Sequence, residues 1–318
     1  MRNRKSITRV LFDEARDYFQ KYSNDETRKA YIKNYKKYIQ FCRDNFDCRS
    51  MEDCANPIQK YSDFLLEKGY TSSTIHSYLA CVCNYHGINM SEVKKLKRIT
   101  SAYSRGRPNN DREERNDNDL NNPKYRRLIE FQRRVGIRRS ELARLNSDDF
   151  FECDGKLYCI VRRGKGGKRQ EQLILPNDVD FVKSYFTNTP KGERIFSKSE
   201  MKNHLNLHVL RAKAAKDTYA YLENRLKAEG EEYRKKLEAE LREAWNKNNI
   251  NPKTGKAKQF PEGRLIGTYF LRGKSKAFAI KNNLPLCYDR LLVFYVSVFK
   301  LAHYRLGVTV QSYLNILT

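Results

Sequence analysis

The chain has 318 residues, and its 63 Lys+Arg against 38 Asp+Glu leave a net charge of +25 and a pI near 9.7. That length makes two domains the default, and that charge points to polyanionic partners rather than small neutral metabolites. With 39% hydrophobic residues and 21 tyrosines there is enough apolar surface to build cores, so a disordered basic tail is excluded.

From Ser6 to about Tyr85 the periodicity predicts four helical segments separated by polar turns. The second starts at Ser23-Asn-Asp-Glu26, read as a capping box. Behind it Tyr31, Ile32, Tyr35, Tyr38, Ile39 and Cys42 line one face, with Lys29, Lys33, Lys36 and Lys37 on the other. Ile58, Tyr61, Phe64 and Leu65 predict a third helix ending at Gly69, and Ile75, Tyr78, Leu79, Val82 and Cys83 a fourth after Thr71. Residues 1–100 are expected to form a helical DNA-binding domain, although a plain helical bundle with solvated lysines has the same pattern. Residues 101–122, from Arg105-Gly-Arg-Pro108 to Asp119, have no period and almost no apolar residue, which predicts a linker.

In the second part, 123–318, a helix is expected from Lys124 to about Asn146. A β-hairpin follows, from Lys156 to Arg163 and from Lys168 to Pro176, with Lys165 at its glycine-rich tip, and then a helix from about Val179. Leu222, Leu226, Tyr233, Leu237, Leu241 and Trp245 make a helical stripe, broken near Gly230. Residues 222–248 carry seven basic and seven acidic residues, so this stretch adds nothing to the net charge. The apolar run 291–299 is half the length of a membrane span and predicts a buried helix. Met1-Arg-Asn-Arg-Lys5 lacks the apolar core of a signal peptide, so a cytoplasmic location with eight reduced cysteines is expected. Cys42, Cys48 and Cys54 are evenly spaced and Cys81-x-Cys83-x-x-His86 follows, but no paired C-x2-C spacing is present, and neither a metal nor another cofactor is expected.

Four strings in the second part carry residues suited to anion chemistry. Arg138 opens an amphipathic helix with Glu141 one turn on, a spacing that also describes an ordinary surface salt pair. Lys165 sits in the hairpin turn. His208 and Arg211 lie one helical turn apart on one face. His303 and Tyr313 are ten positions apart near the end. Taken in order, this set resembles the catalytic domain of the tyrosine recombinases, the phage-integrase family. Gly136-Ile-Arg-Arg-Ser-Glu-Leu142 is similar to that family's first arginine box, His208-Val-Leu-Arg211 to its His-x-x-Arg box, and Leu301-Ala-His303 to its Leu-Gly-His.

The resemblance implies a mainly α fold with a small antiparallel β-sheet or hairpin, arranged as a two-domain clamp around DNA. In it Thr74-Ile-His-Ser-Tyr78 belongs to the last major helix of the core-binding domain. It also implies a catalytic set of Arg138, Lys165, His208, Arg211, His303 and the nucleophile Tyr313, with Lys168 an alternative lysine and Arg272, in Tyr269-Phe-Leu-Arg272, an alternative second arginine. The implied reaction cleaves and rejoins DNA through a 3′-phosphotyrosyl intermediate, without metal or ATP, for integration or excision of a phage or mobile element in a prokaryotic cell. The partners implied are a double-stranded attachment site, a homotetramer assembled on it, and accessory bending or directionality factors.

Three departures from the family pattern stand out. Ala302 replaces the usual glycine, His303 and Tyr313 are one position further apart than is common, and 92 positions separate Arg211 from His303. The last suggests an insertion at about 217–263, whose apolar stripe could serve subunit contact or fold onto its own domain. Five residues after Tyr313 leave little chain for exchange between subunits. Rival readings are a non-catalytic basic DNA-binding protein and a type IB topoisomerase. An ATPase fits poorly, because Gly273-Lys-Ser275 would need glycine where Thr268 stands.

Overall fold

The computed structural model describes residues 6–95, 120–164, 169–250 and 254–317, which fall into two compact units, 1–100 and 101–318. Residues 101–119 of the expected linker, and both candidate hairpin lysines, Lys165 and Lys168, lie outside the described residues. The architecture is mainly helical with a small antiparallel sheet, as expected. None of the described helices is long and apolar enough to cross a membrane.

Among the described residues the first unit has four α-helices, α1 Ile7–Tyr18, α2 Asp25–Phe46, α3 Ile58–Glu67 and α4 Ser72–Tyr85. The α2 cap falls at Asn24 and not at Ser23. The Asn24 side chain accepts the Thr27 N–H at 2.9 Å, which leaves Asp25 and Glu26 in the first turn where the helix dipole favours them. Thr71 caps α4. Phe19, Tyr35, Tyr38, Tyr61, Ile75 and Leu79 close the core, while Lys29, Lys33, Lys36 and Lys37 are exposed along α2.

In the second unit the expected helix from Lys124 to Asn146 is broken. α5 spans Arg126–Val135 and α6 Arg139–Leu142, because Gly136 takes a left-handed φ of 70° and ends the first helix. Strands β1 Phe150–Cys153, β2 Lys156–Val161 and β3 Gln170–Leu173 form one antiparallel meander. β1 escapes a sequence reading because its four residues, Phe-Phe-Glu-Cys, do not alternate. Helices α7 Val179–Thr187 and α8 Lys198–Met201 follow. Next, α9 runs Leu207–Asn248 with a break at Gly230, whose φ of 66° and ψ of −146° are not helical.

The second half of α9 folds back onto its own unit. Leu222, Tyr233, Leu237 and Leu241 are buried in the same core as Leu292 and Val296, with Leu226 and Trp245 packed against it. Glu240 takes hydrogen bonds from Lys156 and from the Tyr295 hydroxyl, both at 2.6 Å, and Arg234 reaches Asp289 at 2.7 Å. The idea that this stripe supplies a subunit contact is therefore corrected: its apolar side chains are spent internally. The polar stretch after it returns through β4 Thr268–Phe270, α10 Gly273–Lys281 and β5 Cys287–Asp289. α11 Arg290–Phe299 is the buried helix expected from the apolar run, and α12 Leu306–Thr309 leads into a π turn at Val310–Leu314.

Candidate functional site

The site is built around the start of α6, the first turns of α9 and the segment after α11. Gly136 sets the distance between the first two. A Cβ there would stand 2.8 Å from the Ala214 Cβ, so only glycine lets α5 and α9 approach this closely. Its carbonyl then accepts Arg211 Nη1 at 2.8 Å, while Arg211 Nη2 donates to the Leu301 carbonyl at 2.7 Å. Arg211 is only 1% exposed, a charged side chain held by backbone oxygens.

Arg138 comes to the same place from α6. Its Nη1 meets Glu141 Oε1 at 2.6 Å, its backbone N–H donates to Glu141 Oε2 at 2.7 Å, and its Nη2 lies 3.4 Å from the Leu301 carbonyl. The Arg138–Glu141 pair is not a surface salt pair, since Glu141 is buried and its Oε2 also lies 3.7 Å from Arg211 Nη1. One carboxylate thus serves two guanidinium groups. Burial pulls the Arg211 guanidinium below its usual range and Arg138 adds to this, while Tyr313 and Glu141 oppose it. An arginine remains charged under such pressure, where a lysine need not.

The turn after α11 presents His303. Ser297, buried in α11, organises it. The Ser297 carbonyl accepts the His303 N–H at 3.0 Å, and its hydroxyl accepts the Arg305 N–H at 2.8 Å and lies 3.2 Å from His303 Nδ1. With one oxygen lone pair taken by Arg305, the hydroxyl hydrogen can turn to Nδ1, an arrangement that leaves Nε2 carrying the proton as a donor. His303 Nε2 and Arg211 Nε are buried and have no hydrogen-bond partner among the described residues. Burial drives the His303 pKa down to about 3, helped by Arg211, Arg138 and Arg305, so the ring is neutral at neutral pH.

Tyr313 lies in the π turn and is 7% exposed. Its ring centroid is 5.0 Å from that of His208 and 5.6 Å from that of His303, and the Arg211 Cζ is 5.8 Å from it. His208, on the first turn of α9, is solvent-exposed. Five residues scattered from 138 to 313 are thus brought together: Arg138, His208, Arg211, His303 and Tyr313. Arg272 is not among them. It stands exposed before α10, and it is Arg211 that makes the contacts with Leu301 and Tyr313. The neighbouring Gly273-Lys-Ser275 string has a structural use, for the Ser275 hydroxyl donates to Gln311 Oε1 at 2.7 Å and its carbonyl takes the Asn315 amide at 3.3 Å.

Three side chains that support this centre had no sequence signal pointing to them. Lys300 is wholly buried, with its ammonium on the carbonyls of Arg134 at 2.5 Å and Leu173 at 3.1 Å. Burial, with Arg211 adding to it, lowers its pKa to about 8. Ser297 reads in the sequence as one polar interruption of an apolar run. Gln170, the first residue of β3, donates to the Ala302 carbonyl at 3.2 Å and so ties that strand to the residue before His303.

No family model matches the chain, and no curated protein matches it in sequence. Among solved structures it is similar to one titled "Crystal structure of XerA recombinase", at 18% identity over 66% of this chain and 84% of that one, with a TM-score of 0.22. At that score the likeness carries no weight of its own.

Proposed function

We propose that the chain is a tyrosine-type DNA recombinase that cleaves and rejoins strands through a 3′-phosphotyrosyl intermediate. One observation carries the reading: the Tyr313 phenol ring is packed among His208, His303 and the Arg211 guanidinium, with Arg138 joined to Arg211 through Leu301 and Glu141. A phenol placed beside two cations and two imidazoles is what attack on a phosphodiester requires, because the reaction builds negative charge on the nonbridging oxygens. The +25 charge suits a nucleic-acid partner.

In this mechanism Arg138, Arg211 and the Nε2–H of His303 bind the nonbridging oxygens. Fixed, partly desolvated donors lower the barrier by more than the same groups would in water. The Tyr313 oxygen displaces the 5′-oxygen from phosphorus as its proton passes to the neighbouring His208, and Lys165 protonates the leaving oxygen. The products are a 3′-phosphotyrosyl ester and a 5′-hydroxyl, and the ester retains the bond energy that religation uses. The family's usual His-to-Tyr interval is one position shorter than here, and the π turn, which holds more residues than an α turn, takes up the difference. The catalytic set of this proposal is Arg138, Lys165, His208, Arg211, His303 and Tyr313. A homotetramer on a duplex attachment site, and service to a mobile element, belong to the same proposal.

The test uses nicked duplexes with a randomised central region, so that no target sequence needs to be known, and captures protein bound to DNA after denaturation. Wild-type protein should form a covalent adduct that survives the gel. Tyr313→Phe should retain DNA binding and form none. An adduct that persists in Tyr313→Phe overturns the assignment of the nucleophile, and a wild-type protein that binds the pool but never couples to it overturns the enzymatic reading in favour of a non-catalytic DNA-binding protein.

A further inference from the structure

Away from the catalytic unit, the first unit contains a group that the recombinase reading does not use. Cys42, Cys48 and Cys54 place their sulfur atoms within 4.8 Å of one another, and all three are buried. Five residues separate each from the next, so neither interval has the short loop that marks a zinc module in sequence. Folding brings them together in three steps. Cys42 is on the inward face of α2, which ends when Asp47 turns left-handed at a φ of 45°. Asp53 then accepts the backbone N–H groups of Arg49 and Ser50, both at 2.9 Å, and winds the loop into a tight turn. Finally the Tyr38 hydroxyl, one helical turn before Cys42, donates to the Cys54 carbonyl, while Arg43 Nη1 holds the Cys48 carbonyl at 2.9 Å. His86 does not join them, because its Nε2 is paired with the Tyr35 hydroxyl at 2.8 Å.

We infer that Cys42, Cys48 and Cys54 form a binding site for a thiophilic divalent cation, zinc(II), between α2 and α3. Tetrahedral zinc has sulfur ligands at about 2.3 Å and hence about 3.8 Å apart, so from separations within 4.8 Å the three thiols need to close by at most about 1 Å. Three S–H protons leave as three Zn–S bonds form. Cys48 also lines a surface cleft with Asp47, Arg49, Asp53 and Lys60, which gives a water molecule access to the fourth position from that side. The charge arithmetic is favourable as well. Three thiolates and one zinc ion leave a single negative charge; on the cleft side of this loop Arg43, Arg49 and Lys60 outnumber Asp47 and Asp53 by one, with Arg43 and Arg49 both paired to Asp47, so one cationic charge remains to balance it. The expected gain is local: the loop from 47 to 57 is already tied to α2 by the Tyr38 and Arg43 hydrogen bonds and by its buried Cys48, Met51 and Cys54, and a metal crosslink adds to that attachment.

The site is independent of the reaction assigned to Tyr313, and its test does not measure DNA cleavage. The reduced full-length chain is stripped with a chelator, titrated with zinc(II) alone, and desalted before metal analysis. A parallel titration with cobalt(II) reads the near-ultraviolet thiolate-to-metal absorption. One ion per chain should be retained, the cobalt form should show the charge-transfer band, and zinc should protect three thiols from alkylation at Cys42, Cys48 and Cys54, identified by peptide mass. Cys48→Ser, at the cleft and least embedded in the core, should weaken zinc binding by about 10²-fold, whereas Cys81→Ser and Cys287→Ser should bind as wild type. Because the three thiols are buried without metal, the readout is the rate at which local opening exposes them to alkylation, compared between metal-free and zinc-loaded chains of native sequence. It decides the matter even where a variant fails to fold, and equal rates overturn the site. Absence of retained zinc, protection of other thiols, retention unchanged in Cys48→Ser, or a Cys42–Cys54 disulfide in the reduced preparation each overturn the site.

Discussion

Arg138 and Arg211 share one acceptor: the Leu301 carbonyl takes an Nη2–H from each, at 3.4 and 2.7 Å. Two guanidinium groups this close repel each other, and the buried Glu141 carboxylate is what holds them together, bound to Arg138 at 2.6 Å and 3.7 Å from Arg211. The carbonyl also fixes where the pair points, because Leu301 begins the turn that carries His303.

Glu141→Gln keeps the shape of the side chain and removes its charge. Two cations then face each other in a desolvated place with only a carbonyl between them. The expected result is a loss of about 3 kcal/mol in unfolding free energy, measured by denaturant titration, and a rate of covalent-adduct formation reduced by about 10- to 100-fold. A variant as stable and as active as wild type would show that the carboxylate does not organise the pair.

Gly136→Ala tests the close approach of α5 to α9. The new methyl meets Ala214 at 2.8 Å in a left-handed backbone, so crowding and strain act together. A destabilisation of about 2–4 kcal/mol is expected. Gly69→Ala, at a φ of 72° with nothing within 4 Å of the added Cβ, bears the backbone strain alone and should cost about 1–2 kcal/mol. Melting temperatures of the two variants separate the contributions.

Ala302→Gly is expected to act in the opposite direction. Ala302 and Tyr304 flank His303 at φ values of 48° and 52°, a region that non-glycine residues enter at a cost. Glycine at 302 relieves about 1–2 kcal/mol of strain and gives back part of it as chain entropy. The net gain should be up to about 1 kcal/mol, read as a shift of the denaturation midpoint, and the His303 hydrogen bonds to Ser297 should survive.

Acid should weaken the second unit through His303. An unfolded histidine takes its proton near pH 6.5, while the folded ring resists protonation to about pH 3 because it is buried beside three arginines. Between those limits the unfolded chain binds more protons, so stability falls as the pH is lowered. The contribution is whole above about 6.5 and is lost toward 3, at up to about 1.4 kcal/mol per pH unit. His303→Gln should flatten that slope. His86, held near 4 by burial in the first unit, gives the same sign, so the measurement needs a local probe. Trp245, the single tryptophan, packs on Phe260 and Tyr304 in the second unit and its fluorescence supplies one.

The sequence alone determined the helices with long, regular stripes, such as α2 and α11. It also determined the order of the residues that form the centre, because side-chain periodicity and box-like strings are local properties. It favoured Arg211 over Arg272 only through the His208 that stands three residues before it, since both arginines follow leucine and nothing local shows that one guanidinium is buried and the other exposed. Nor could it show that Glu141 is enclosed, that Lys300 lies in the core, or that the stripe after Gly230 is used inside its own unit. Those facts depend on contacts between residues 55 to 166 positions apart, such as Arg234 with Asp289, Arg211 with Gly136 and Lys300 with Arg134. Burial and electrostatic environment arise only when distant segments remove one another from water, and so tertiary structure, not the local string, decided which charges meet.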